Sequence, residues 1–407
     1  MVEPKKNLWP AKIFLFVQSL SLFAFLFERK ILCILNPNST APTLEYSNSL
    51  FGVFWSCLII LVTFFLLCQV KTLQPDRFRI VIPTKLLVLS LMIESIYVLN
   101  LFISSESSEL LRRLIIEGNA PFGFAKLNTL ILYFMALLFF GKIGNRNYIT
   151  TRMDVFLILY LFILFFLKGL VLSSRGSFFN IIAFSLAGYT FFSSESFFKT
   201  KALALLFLVV IIGLGVLTTM RAGRILSDDD LFSTVVTKFS GNFNVSTKYL
   251  DDELQVTDKY NLEKNIWFDE KSNFRCTVFP NTSIDYFPFK KTINSIISVV
   301  LKKAQDEDGG YYFKIYNHLP FNSSNFLFKF LILREYFPIV FCFIFILYNF
   351  YARLNPASCF FVYCLMVIFA VLSFTSNVFF EIPFCILPFL GLIFSRCFVA
   401  HPPCTND

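Results

Sequence analysis

The residues best equipped for chemistry are a few cations set where apolar segments end. In Leu172-Ser173-Ser174-Arg175-Gly176-Ser177 a guanidinium stands beside a glycine just where an apolar segment resumes. Guanidinium is a rigid planar fork that matches phosphate oxygens. Gly176 admits close backbone approach, and the amides that open the following helix favour an anion. Arg221 and Arg224 recur at the end of another apolar segment, in Thr218-Thr219-Met220-Arg221-Ala222-Gly223-Arg224. Together Arg175, Arg221 and Arg224 would form a positive rim for an anion; the alternative for each is anchoring at lipid headgroups.

Groups able to move a proton are scarcer. His318, one of only two His, lies in Tyr316-Asn317-His318-Leu319-Pro320-Phe321-Asn322 and titrates near neutral pH. Asp228, in a run of three Asp, offers a carboxylate for the same work. Each has a plainer alternative as a surface side chain. Glu94 interrupts Leu89-Ser90-Leu91-Met92-Ile93-Glu94-Ser95, and an ionisable group inside an apolar segment is a functional candidate by default. Its alternative is a strut between helices, hydrogen-bonded to Ser or Tyr partners. No second acid or base chain is read beside it, which disfavours a proton-driven transporter. Arg334-Glu335 also breaks an apolar run, as a self-paired or partner-facing charge would. No Walker loop, dinucleotide fingerprint, zinc HExxH or nucleophile elbow is present.

The elements that must position these groups are apolar. Of 407 residues 56% are hydrophobic and 56 are Phe, too little polar surface to cover a water-soluble globule of this length. Segments near the length needed to cross a hydrocarbon core of about 30 Å recur along the chain, separated by polar stretches. They predict ten spans, at 11–28, 50–69, 83–104, 126–142, 154–171, 177–193, 201–219, 326–349, 357–375 and 378–396. The first lacks a small-residue cleavage site and is followed by Glu28-Arg29-Lys30, so it reads as a retained span. The expected fold class is all-α, a polytopic transmembrane bundle.

Lys and Arg of short loops sort these spans by side. With the N-terminus inside, Lys5, Lys6, Lys12, Lys71, Arg77, Arg79, Lys85, Lys142, Arg146, Arg152, Lys199, Lys201, Arg353 and Arg396 face the cytoplasm. Only Arg29, Lys30, Arg112, Arg113 and Arg175 fall in opposite-side short loops, and both termini are cytoplasmic. The external loops are 29–49, 105–125, 172–176, 220–325 and 376–377. The chain thus divides into helices over 1–219, one large external loop over 220–325, and helices with a short tail over 326–407. Inside that loop Ile293, Ile296, Ile297, Val300, Leu301 and Ala304 repeat at helical spacing, as an interfacial helix or an ordinary cap helix would.

Two classes of function are disfavoured. Most of the ten Cys fall inside apolar segments and Cys276 stands alone in the large loop, so neither a disulfide framework nor a structural metal is expected. The net charge of +9 is dispersed among loops and not gathered with aromatics, so no nucleic acid is expected as a partner.

This pattern resembles the O-antigen polymerase (Wzy-type) and O-antigen ligase superfamily of bacterial surface-polysaccharide enzymes. Three features carry the resemblance: the Ser173–Ser177 turn opening a helix, the Arg at the start of one large external loop, and the loop's exit into Asn325-Phe326-Leu327 with Arg334-Glu335-Tyr336 beyond. The family's exit motif is similar to His-Asn-x-x-Leu, then Glu, then Gly. Here Ser324 stands in the place of the His, with His318 upstream, and Phe337-Pro338 replaces the Gly region.

The resemblance implies an inner-membrane glycosyltransferase of lipopolysaccharide biosynthesis, with no metal and no cofactor. It would move a growing chain from undecaprenyl diphosphate onto the terminal sugar of a new lipid-linked repeat unit, at the periplasmic face. Arg175 with Arg221 or Arg224 would hold the diphosphate, and His318, Asp228 or Glu94 would serve the acid–base chemistry. The implied partners are the undecaprenyl-diphosphate-linked oligosaccharide, membrane lipid and a chain-length regulator protein. The rival readings are the ligase, a flippase or transporter of the same lipid, and a scaffold whose Arg are anchors only. A flippase usually shows two pseudo-symmetric halves, and no internal repeat is found here.

Overall fold

The computed structural model describes residues 5–35, 50–72, 78–104, 123–145, 147–172, 176–192, 336–373, 390–391 and 393–400. The helices among them are α1 (Trp9–Leu35), α2 (Leu50–Leu67), α3 (Thr84–Ser104), α4 (Gly123–Gly144), α5 (Arg152–Val171), α6 (Gly176–Phe192), α7 (Tyr336–Tyr351) and α8 (Pro356–Leu372). The described part is 83% helical, which gives a mainly α architecture. Two helices, Thr84–Ile103 and Arg152–Val171, are long and apolar enough to cross a membrane. The large loop at 220–325 and the segments at 201–219 and 378–389 lie outside the described residues.

Local sequence explains where the helices begin. Thr151 caps α5 and forms a reciprocal box with Asp154: the Asp154 amide donates to Thr151 Oγ1 at 3.2 Å, and the Thr151 amide donates to Asp154 Oδ2 at 2.9 Å. Asn355 caps α8, accepting from the Ser358 amide at 2.7 Å, and Pro356 follows at the first helical position. Helix α1 continues to Leu35, so residues 29–35 are helical where a loop is expected. No glycine or proline interrupts Glu28–Leu35, and the first such breaker is Pro37.

The core is built on α4, α6 and α8. Helices α4 and α6 touch backbone to backbone: a Cβ on Gly188 would collide with the Leu137 carbonyl, and one on Gly144 with the Tyr189 carbonyl. Helix α8 packs on α6 and α1 and is buried from Ala357 to Leu372, as befits a helix that is apolar all round. Phe191 holds the α6–α8 seam, with ring centroids 4.9 Å from Phe360 and 5.2 Å from Tyr363. Helices α3 and α5 flank this centre with apolar outer faces, where Ile96 is 66% and Phe102 68% exposed.

Two short antiparallel ribbons depart from the all-α expectation. Strand β1 (Lys5–Lys6) pairs with β2 (Lys71–Thr72), and β3 (Phe78–Ile80) pairs with β4 (Phe398–Ala400). Both close over one end of the bundle. There Asn145 Nδ2 donates to the Phe78 carbonyl at 3.1 Å, and the Asn7 amide donates to the Val70 carbonyl at 3.1 Å. The same end therefore carries β1, residues 68–72 and 78–83, residues 145 and 147–151, and β4. Leu172 and Gly176, at the end of α5 and the start of α6, lie at the other end of these helices.

Candidate functional site

Polar side chains inside the bundle converge where α3, α4 and α5 meet. Glu94 on α3, Thr129 and Asn128 on α4, and Lys168 on α5 are all buried, and Glu94 has no solvent exposure. Lys168 Nζ donates to Glu94 Oε1 at 2.5 Å and to Thr129 Oγ1 at 2.7 Å. Thr129 Oγ1 in turn donates to Glu94 Oε1 at 2.9 Å. Asn128 Nδ2 serves the second carboxylate oxygen at 2.9 Å and also reaches the Ser90 carbonyl at 3.0 Å. The ammonium lies 5.3 Å from the Tyr97 ring centroid and 5.7 Å from that of Phe165.

The electrostatics follow from that geometry. Two unit charges removed from water survive only if their contact is close and their remaining sites are hydrogen-bonded. Here both carboxylate oxygens receive donors, and the ammonium has an anion, a hydroxyl and two ring faces. Thr129 and Lys168 donate to one carboxylate oxygen and Asn128 to the other, so Glu94 stands here as the buried ion-pair partner of Lys168. Among the described residues its side-chain partners are Lys168, Thr129 and Asn128, where the strut alternative named Ser or Tyr. Lys168 is the buried partner that sequence reasoning missed. Its signal was available, since it interrupts Leu157–Val171 as Glu94 interrupts α3.

This layer sits one helical turn from the end of α5. Beyond it, Tyr97 and Leu101 of α3 pack on Val171 and Leu172. Across the connection, Tyr133 OH of α4 donates to the Ser177 carbonyl in the first turn of α6 at 3.3 Å. Both described shoulders of the 172–176 turn are therefore tied down, one through Lys168 and the Tyr97 cluster, the other through Tyr133. Arg175 itself, and Arg221, Arg224, Asp228 and His318, lie outside the described residues.

A second polar cluster stands at the ribbon end. Asp154 Oδ2 accepts from Tyr148 OH at 2.6 Å and from Thr151 Oγ1 at 2.8 Å, while Lys142 Nζ lies 3.9 Å from Oδ1 and 4.3 Å from the Tyr148 ring centroid. Partial burial, reinforced by donation to Asp154, pushes the Tyr148 phenol up. Every member of this cluster is spent on holding the start of α5 against the end of α4. Comparison with protein-family models, with curated proteins and with solved structures finds no match.

Proposed function

We propose that the chain is a ten-span inner-membrane glycosyltransferase of the O-antigen polymerase type, with both termini cytoplasmic and the 220–325 loop in the periplasm. What supports membrane residence is an inverted distribution of polarity. A charged pair lies sealed inside the bundle while large apolar side chains line the outward faces of α3 and α5.

The single observation that carries the catalytic reading is the Glu94–Lys168 pair, one turn before the end of α5, the helix that Arg175 follows in sequence. An arginine that must meet a diphosphate in one geometry needs a rigid base. The reaction runs by attack of an acceptor hydroxyl on the anomeric carbon of the growing chain. The bond from that carbon to the diphosphate oxygen breaks, undecaprenyl diphosphate leaves, and a base takes the hydroxyl proton. Arg175 with Arg221 or Arg224 stabilises the charge on the leaving diphosphate. His318 or Asp228 accepts the proton. Glu94 braces the site without contacting the sugars.

One observation favours a second reading. An ion pair inside a helical bundle also suits a carrier of lipid-linked oligosaccharide. Replacing Arg175 with Ala and resolving the cell's lipopolysaccharide on a gel separates the readings. The polymerase reading requires lipopolysaccharide capped with one repeat unit. Lipopolysaccharide carrying no repeat unit would point to a carrier or a ligase, and an unchanged ladder would refute a role for Arg175.

A further inference from the structure

The β3–β4 ribbon gathers cations that the reaction above does not use. Arg79 pairs with Val399 in its register, and the Val81 amide donates to the Cys397 carbonyl at 2.8 Å. Arg396 stands in the 3-10 turn Ser395–Cys397 that leads into β4, and Lys85 follows β3 in the first turn of α3. Phe78, Ile80 and Phe398 turn inward; Phe398 sits 5.2 Å from Phe360 between ring centroids, and Ile80 reaches Gly141. The alternation of a strand then sends Arg79 outward with Val81 and Val399. Arg79, Lys85 and Arg396 are all exposed, and beside them Val81 is 47% and Ile393 70% exposed.

Among the described residues, the exposed charges at this end have one sign. Lys12, Arg152 and Arg353 are exposed there as well, whereas the one acid among the described residues of this end, Asp154, is buried and bonded to Tyr148 and Thr151. A guanidinium on β3, a second in the turn that enters β4 and an ammonium in the first turn of α3, edged by apolar side chains, match a phosphodiester that carries acyl chains. A free anion would use the cations and leave the apolar edge idle. The geometry points to the outer face of the β3–β4 ribbon as a binding site for the headgroup of an anionic phospholipid. This rests on the chain being embedded in a membrane and is independent of glycosyl transfer.

The test uses the full chain, purified in neutral detergent and titrated with phosphatidylglycerol, phosphatidylcholine or inorganic phosphate while its thermal unfolding midpoint is read. Phosphatidylglycerol is expected to raise the midpoint at low salt, and the rise should vanish near 1 M salt, where the Debye length is about 3 Å. The other two additives should leave it unchanged. Each neutralised ribbon cation should weaken the apparent affinity about fivefold, so Arg79→Gln/Lys85→Gln/Arg396→Gln should lose about a hundredfold. The off-ribbon triple Lys12→Gln/Arg152→Gln/Arg353→Gln should bind within a few-fold of the parent.

Equal shifts from both lipids, or a shift from phosphate alone, overturn the proposal. Equal loss in the two triple variants overturns it too, because it denotes a diffuse belt and not a site. Should the ribbon triple fail to fold, Arg79→Lys/Arg396→Lys keeps the charge and is expected to retain the phosphatidylglycerol response; its loss counts against the site. A chain that ignores phosphatidylglycerol while Arg175→Ala still abolishes polymer leaves glycosyl transfer standing.

Discussion

Replacing Lys168 with Met tests the buried pair most sharply. The substitution keeps the aliphatic stem against Tyr97 and Phe165 and removes only the ammonium. Glu94 then retains two donors, Asn128 Nδ2 and Thr129 Oγ1, both at 2.9 Å, and loses its counter-charge. Removing one partner of a buried pair costs about 3–5 kcal/mol, because the survivor is left charged or must take up a proton. Glu94→Gln alone strands the ammonium on Thr129 and two rings, at a similar cost. The double variant Glu94→Gln/Lys168→Met removes both charges while an amide still meets Asn128 and Thr129. It should recover most of the loss, giving a coupling of at least about 2 kcal/mol. The measurement is chemical unfolding of the four proteins in detergent, closed as a double-mutant cycle. If the two single losses simply add in the double variant, Glu94 and Lys168 are not partners and the bracing argument fails.

Other expectations follow from the packing and the caps. Gly188→Leu should force α4 and α6 apart at Leu137 and destabilise by about 3 kcal/mol or more, read as early thermal unfolding with loss of a single gel-filtration peak. Asn355→Ala removes the acceptor for the Ser358 amide and should lower stability by about 1 kcal/mol in the same unfolding assay. Because the folded state holds the Tyr148 phenol above its ordinary value of about 10, the stability this residue lends is full below that pH and is lost as pH climbs through the raised value. Tyr148→Phe should therefore flatten part of the alkaline fall in a stability–pH profile.

The helices of the described part were legible because long apolar segments announce themselves by composition. Helix α4 covers Gly123–Gly144 where 126–142 is expected, and α8 covers Pro356–Leu372 where 357–375 is expected. The ribbons were not legible. Strands of two or three residues carry no periodicity, and β3 owes its place to a partner at the far end of the chain. At the site, Glu94 stood out because a carboxylate in an apolar run is conspicuous. Lys168 escaped because it stands one turn from a helix end, where a long cationic side chain can reach out of an apolar segment. What separates the two readings of a lysine is which way α5 is turned, and that rotation is fixed by α3 and α4.

Helix α8 has a further consequence for how the molecule is made. It is enclosed by neighbours along its whole length, yet most of them leave the ribosome earlier. A chain that has emitted only α1 to α6 has a vacant slot along Phe14 and Phe191, sealed for the moment by whatever apolar matter surrounds it. A truncated chain ending before Pro356 should stay open at its centre.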